Sequence, residues 1–256
     1  MRGVILLAAL LPLAAAGAAP ASAEPATFLP EAFARLKAAR YVPADDAQVW
    51  TGWIGAGADL LRAGRVTVEF TADVETIIGR ERRTFDANQA NYHLAGAARV
   101  RVGRYEVAPF FHHVSRHLVD RSKTEAVDWN MVGVRATAPL PDGRGRVTVG
   151  VGHTTQVSLV GYGWEITGRS EVDLLKRDFG QVYAVLDLRH VTALPVPAFP
   201  RGSFTDWTVE GGARWRSGPR SLDTFAAFER RNDVFVETPG ARDRLLLGFR
   251  IGLAGR

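Results

Sequence analysis

Three of the chain's six histidines, His112, His113 and His117, lie close together, and Ser115 stands between the last two. They belong to the stretch YEVAPFFHHVSRHLVDR, residues 105–121. On an extended chain alternate side chains share a face. His113, Ser115 and His117 therefore continue the face of Tyr105, Val107, Pro109 and Phe111, while His112 and Arg116 share the other with Glu106. A histidine two positions from a serine can take the hydroxyl proton and make the oxygen a nucleophile, provided a carboxylate orients the imidazole. Asp120, Glu125 and Asp128 follow closely enough to supply one. The chemistry this suggests is ester hydrolysis, with Ser115 as nucleophile, His113 as base, Asp120 or Glu125 as orienter and His117 beside them. The competing reading is a polar cluster that only hydrogen-bonds loop backbone and headgroups. No metal or cofactor is implied, because His113 and His117 have helix-face rather than strand spacing and Asp120 is the only further ligand nearby.

The elements that must carry this cluster are strands. From Arg65 to the C-terminus the chain alternates with period two. Arg65, Thr67, Glu69, Thr71, Asp73 and Glu75 oppose Val66, Val68, Phe70, Ala72 and Val74, and Arg244 and Arg250 oppose Leu245, Leu247, Phe249, Ile251 and Leu253. The runs last about 12 to 16 residues, longer than the usual strand of roughly 5 or 6 and suited to tilted membrane spans, which need about 9 to 11. Short turns at 103–104, 141–143, 176–179 and 217–219 alternate with richer connections at 80–87, 120–127 and 192–202. The expected fold is all-β, a transmembrane antiparallel up-and-down barrel rather than a soluble sandwich. Ten strands are expected, near 65–78, 88–103, 105–118, 128–140, 145–158, 162–175, 180–191, 204–217, 221–232 and 242–255. Residues 48–56, QVWTGWIGA, if read as a further strand, would make eleven and require either a twelfth elsewhere or a non-barrel role, so twelve is the alternative count. From Tyr105 to His113 is eight steps of roughly 3.3 Å at about 40° tilt, on the order of 20 Å in an apolar band about 25 Å tall. That height puts the histidine–serine cluster near the outer-leaflet interface.

Residues 1–23 read as a cleavable export signal: Arg2, an apolar run from Val4 to Ala16, and Ala21-Ser22-Ala23 before Glu24. Residues 24–47 read as a periplasmic N-terminal segment, with EAFARLKAAR (31–40) helix-capable, and 48–256 as the barrel. There are no cysteines, so disulfide scaffolds, thiol nucleophiles and thiolate metal sites are excluded. The net charge is +5, yet the arginines alternate with apolar residues and form no basic block, which argues against nucleic acid and toward lipid phosphates. Inward-facing charges of both signs, such as Glu69, Asp73, Arg99, Glu171, Glu210 and Arg250, should pair and close a small lumen. Trp50, Trp53, Trp164, Trp207 and Trp215, with Tyr92, Tyr105 and Tyr162, read as interfacial girdles.

The segments FDANQANYHL (85–94) and PFFHHVSRHLVDR (109–121) resemble an uncharacterised family of bacterial outer-membrane barrel proteins with an H-x-S-S-H-x-x-D signature. The resemblance covers about residues 66–140; His113, Ser115, His117 and Asp120 fall on the signature, and Arg116 replaces a serine. His113-Val114-Ser115 is also similar to the His-x-Ser element of outer-membrane lipid A deacylases, whose active sites open to the outer leaflet. These resemblances imply a monomeric barrel in the bacterial outer membrane. They further imply that the chain engages the barrel-assembly machinery during biogenesis and meets outer-membrane lipid or lipopolysaccharide, either as an esterase or as a non-enzymatic structural or ligand-binding barrel.

Overall fold

A computed structural model describes residues 25–120, 127–197, 200, 202–232 and 240–255; the expected export signal and Glu125 lie outside them. Twelve strands follow one another: β1 Thr27–Val42, β2 Trp50–Ala63, β3 Val66–Gly79, β4 Asp86–Val102, β5 Tyr105–Leu118, β6 Val127–Pro139, β7 Gly145–Ser158, β8 Tyr162–Arg177, β9 Gly180–Ala193, β10 Phe204–Ser217, β11 Arg220–Arg231 and β12 Arg242–Gly255. Each pairs antiparallel with its chain neighbour, and β1 closes on β12 from Ala32↔Gly255 to Val42↔Leu245. The count is the alternative of twelve, not ten.

The two additional strands are β1 and β2, and the boundary at residue 48 is corrected accordingly. EAFARLKAAR is strand, not helix, and belongs to the barrel. Alanine, leucine, lysine and arginine favour helix locally, but β1 bonds β2 on one edge and β12 on the other, and this ladder overrides propensity. Its alternation is faint because its outward residues include the small Ala32, Ala34 and Ala38, while Phe33, Arg35, Lys37 and Tyr41 turn inward. In β2 a side chain at inward-facing Gly55 would overlap the Asp73 carboxylate, which Arg35 grips with Nε and Nη2 at 2.8 and 2.6 Å. Glycine there makes room for an ion pair but removes a sequence signal.

The outer surface is apolar and the lumen polar, the reverse of a soluble barrel. On β12, Leu245, Leu247, Phe249, Ile251 and Leu253 are exposed; on β7, Val149 and Val151 are. No helix occurs among the described residues, so the strands provide the apolar envelope a bilayer requires. The lumen is filled instead. Arg231 spans it to Glu75 at 2.6 Å, Arg214 reaches Glu171 and Asp223 at 2.9 Å each, Arg189 joins Glu165 and Asp206 at 2.6 and 3.0 Å, and Arg250 pairs with Glu210. Two apolar clusters add to this fill: Val114, Trp129, Met131, Tyr162 and Phe204 with their neighbours, and Tyr41, Phe225 and Leu246 with theirs.

The two ends differ. Five connections of two to five residues join β2–β3, β4–β5, β6–β7, β8–β9 and β10–β11, and both described chain ends lie on that side. The other end carries the longer connections, such as 43–49, 80–85 and 119–126, together with the three-residue 159–161 between β7 and β8. Gly103 (φ 61°) occupies a left-handed position in the two-residue β4–β5 turn, where a side chain would strain the backbone. Starting at that turn, β5 rises to the long-loop end and delivers the histidine–serine cluster there.

Candidate functional site

Along β5 the even residues point inward, with Ala108, Val114 and Arg116 buried, and the odd residues point out. His113, Ser115 and His117 accordingly share the exterior face near the long-loop end, as the spacing predicts. Antiparallel pairing sets two rows across this face. Ser115 stands between Tyr92 of β4 and Asp128 of β6; His113 stands between Leu94 and Asn130, with Gln156 of β7 next.

Within those rows the partners differ from the expected ones. Ser115 Oγ is in short hydrogen-bonding contact with His117 Nε2, not with His113. With the His117 proton on Nδ1, the serine hydroxyl donates to Nε2, the polarity a general base requires. The Tyr92 ring meets His117 edge-on, with centroids 5.5 Å apart, and holds its plane. His113 instead donates from Nδ1 to Asn130 Oδ1 at 2.7 Å, and Asn130 Nδ2 donates to Gln156 Oε1 at 2.9 Å. This amide chain fixes the His113 tautomer with its proton on Nδ1.

Asp120 lies just beyond β5 at φ 54° and is engaged by two arginines of the β3–β4 connection. Its carboxylate is held by the Arg83 guanidinium, and its backbone carbonyl accepts from Arg82 Nη1 at 2.8 Å. The structure thus gathers Ser115 and His117 into a bonded pair, places His113 beside them on a separate network, and ties Asp120 to the β3–β4 connection. Asp128, opposite Ser115, is the carboxylate the register brings nearest. Sequence reading missed Tyr92, Asn130 and Gln156. Cross-strand register is the signal that finds them, and it cannot be read from one strand.

His93 and His112 form a second pair inside the barrel. Their rings stack with centroids 5.5 Å apart, His93 Nδ1 and His112 Nε2 are 3.3 Å apart, and Trp53 stacks on His93 at 5.1 Å. They line a lumenal cavity of about 340 Å³ with Trp129, Glu75 and Glu165. Trp53 is therefore lumenal, and Tyr162 is buried against Trp129 and Phe204; neither belongs to an exterior girdle. Among the described residues no cluster of three or more histidine, aspartate or glutamate side chains has a metal-binding arrangement.

A closed up-and-down barrel of twelve antiparallel strands, apolar outside and ion-paired within, is an outer-membrane-type β-barrel by its own geometry. No protein-family model matches the sequence, and no curated protein matches it. Among solved structures, the chain is similar to the translocator domain of autotransporter NalP from Neisseria meningitidis, at 12% identity over 88% of each chain and a TM-score of 0.41. A likeness at that level carries nothing about activity.

Proposed function

We propose that this barrel resides in the bacterial outer membrane and hydrolyses ester bonds of outer-leaflet lipid, lipopolysaccharide included, at the Ser115–His117 pair. The observation that carries this reading is the hydrogen bond between Ser115 Oγ and His117 Nε2 on the lipid-facing surface near the long-loop end. Ser115 Oγ attacks the ester carbonyl as its proton passes to His117. The protonated His117 then gives that proton to the departing alcohol, leaving an acyl-serine. Water, deprotonated by the same nitrogen, releases the fatty acid and restores the serine. His117 takes the role the bare spacing assigned to His113, and His113 on its Asn130 tether flanks the reaction. Asp120, engaged by Arg83, leaves the orienting role.

The competing account is a non-enzymatic barrel whose rim binds headgroups. It is favoured by the Arg83–Asp120 clasp, which ties the cluster's only described signature carboxylate to a loop arginine. Lipid mass spectrometry on outer membranes from cells producing wild type, Ser115→Ala or His117→Ala at equal folded levels separates the two. Loss of one acyl chain with wild type alone supports hydrolysis; three profiles identical to cells without the protein would leave the headgroup-binding barrel. Location has its own check. The protein should sediment with outer membranes and shift in gel mobility on heating, whereas recovery in the soluble periplasm would overturn the placement.

A further inference from the structure

The two ends of the barrel treat their cations differently. At the long-loop end five arginines are matched with carboxylates, Arg80 with Asp46 at 2.8 Å, Arg83 with Asp120, Arg230 with Asp243 at 3.1 Å, and Arg242 and Arg244 with Asp45 at 3.1 and 2.6 Å, while Arg82 donates to the Asp120 backbone carbonyl. At the short-turn end, Arg65, Arg104, Lys176, Arg177, Arg216 and Arg220 are exposed and, among the described residues, make no ion pair. These six occupy four of the five short turns or their edges; in the fifth, Arg144 stands 3.9 Å from Asp142. Asp178 is the further acid at these turns. The excess positive charge therefore encircles the rim and is not a local patch.

Three of these cations, Arg104, Arg177 and Arg220, lie beside an outward apolar side chain at the edge of the exterior band. Arg177 lies between exposed Leu175 and Phe179, and Arg220 is two residues from exposed Leu222, whereas Arg65, Lys176 and Arg216 alternate with Val66, Leu175 and Trp215 and stand on the inner side of the rim. Arg104 lies 5.2 Å from the Tyr105 ring centroid. A guanidinium at the boundary of an apolar band sits at the depth of lipid phosphates, and its planar fork matches a phosphate bidentately. A soluble polyanion would not require cations beside outward apolar side chains at three separate turns.

We propose that the short-turn rim is a collar that binds the headgroup phosphates of anionic phospholipids in the leaflet that meets it. The collar holds the barrel at a fixed depth in that leaflet, and its action is independent of the chemistry at Ser115.

The test is native mass spectrometry of the folded full-length barrel after exchange into an equimolar mixture of phosphatidylglycerol and phosphatidylcholine. Wild type should retain phosphatidylglycerol preferentially. A cation near an anionic surface contributes about fivefold in association, so R104Q/R177Q/R220Q should lose the preference while R80Q/R230Q at the opposite end keeps it. The single variants R104Q and R220Q, each lowering the preference stepwise, read the proposal without the combined change. Equal retention of both lipids by wild type, or an unaltered preference in the three-residue variant, would overturn the collar.

Discussion

At the scale of single residues, everything turns on which histidine serves the serine. Ser115 and His117 are bonded, whereas His113 is committed to Asn130. A general base contributes about 100- to 10,000-fold to rate, so His117→Ala should lower fatty-acid release from an outer-leaflet lipid by at least about 100-fold. His113→Ala should be milder, and Asn130→Ala should resemble it, because the amide acts only through that ring. If His113→Ala abolished release and His117→Ala spared it, the assignment of the base would be reversed. Asp120→Asn should leave the rate within about fivefold of wild type, since an exposed ion pair such as Arg83–Asp120 contributes at most about 1 kcal/mol. A collapse of activity in that variant would return Asp120 to the catalytic group.

At the scale of elements, alternation has opposite consequences on the two faces of a strand. Val149 of β7 is exposed on the exterior, and Thr148 beside it turns inward to share a hydrogen bond with Thr137 at 2.9 Å. Placing a charge in the lipid-facing band costs about 2–4 kcal/mol near the bilayer midplane. Val149→Arg should therefore destabilise the barrel by that amount in denaturant titrations from vesicles, while Thr148→Val should cost about 1 kcal/mol. Equal effects would contradict the lipid-facing assignment. The β4–β5 turn supplies a separate test, because Gly103 holds φ 61°. Gly103→Ala should cost about 1 kcal/mol through backbone strain alone. The outward run of β12 and the turn at Gly103 were both legible in the sequence, since each depends on neighbours along the chain. β1 and β2 were less so: alanines outside and glycines inside leave little contrast, and pairing with β12 comes from the far end of the chain.

At the scale of the molecule, the lumen is held shut by ion pairs that join distant strands. Glu75 is 1% exposed and bonds Arg231 of β11 at 2.6 Å and Asn91 of β4 at 2.8 Å. Removing one partner of such a buried pair leaves an uncompensated charge and costs about 3–5 kcal/mol. Glu75→Ala should lower unfolding stability in that range, and a variant that also carries Arg231→Met should recover part of the loss. A double variant no better than the single would show that Arg231 is otherwise satisfied. With Arg214, Arg189 and Arg250 similarly engaged, wild type should show no steady conductance in planar bilayers, and sustained porin-like currents would contradict a closed lumen.

The sequence by itself determined the all-β class, the inward and outward faces of most strands, the short and long ends, and the location of His113, Ser115 and His117 on one lipid-facing edge. All of these follow from period-two alternation and turn chemistry, which are properties of neighbouring residues. Only the tertiary structure decided that the strands number twelve, that Trp53 points into the lumen, that Arg83 takes Asp120, and that Ser115 bonds His117 while Asn130 takes His113. These outcomes depend on strand register, barrel closure and competition among partners, and a pairing between distant segments leaves no periodic trace in either one.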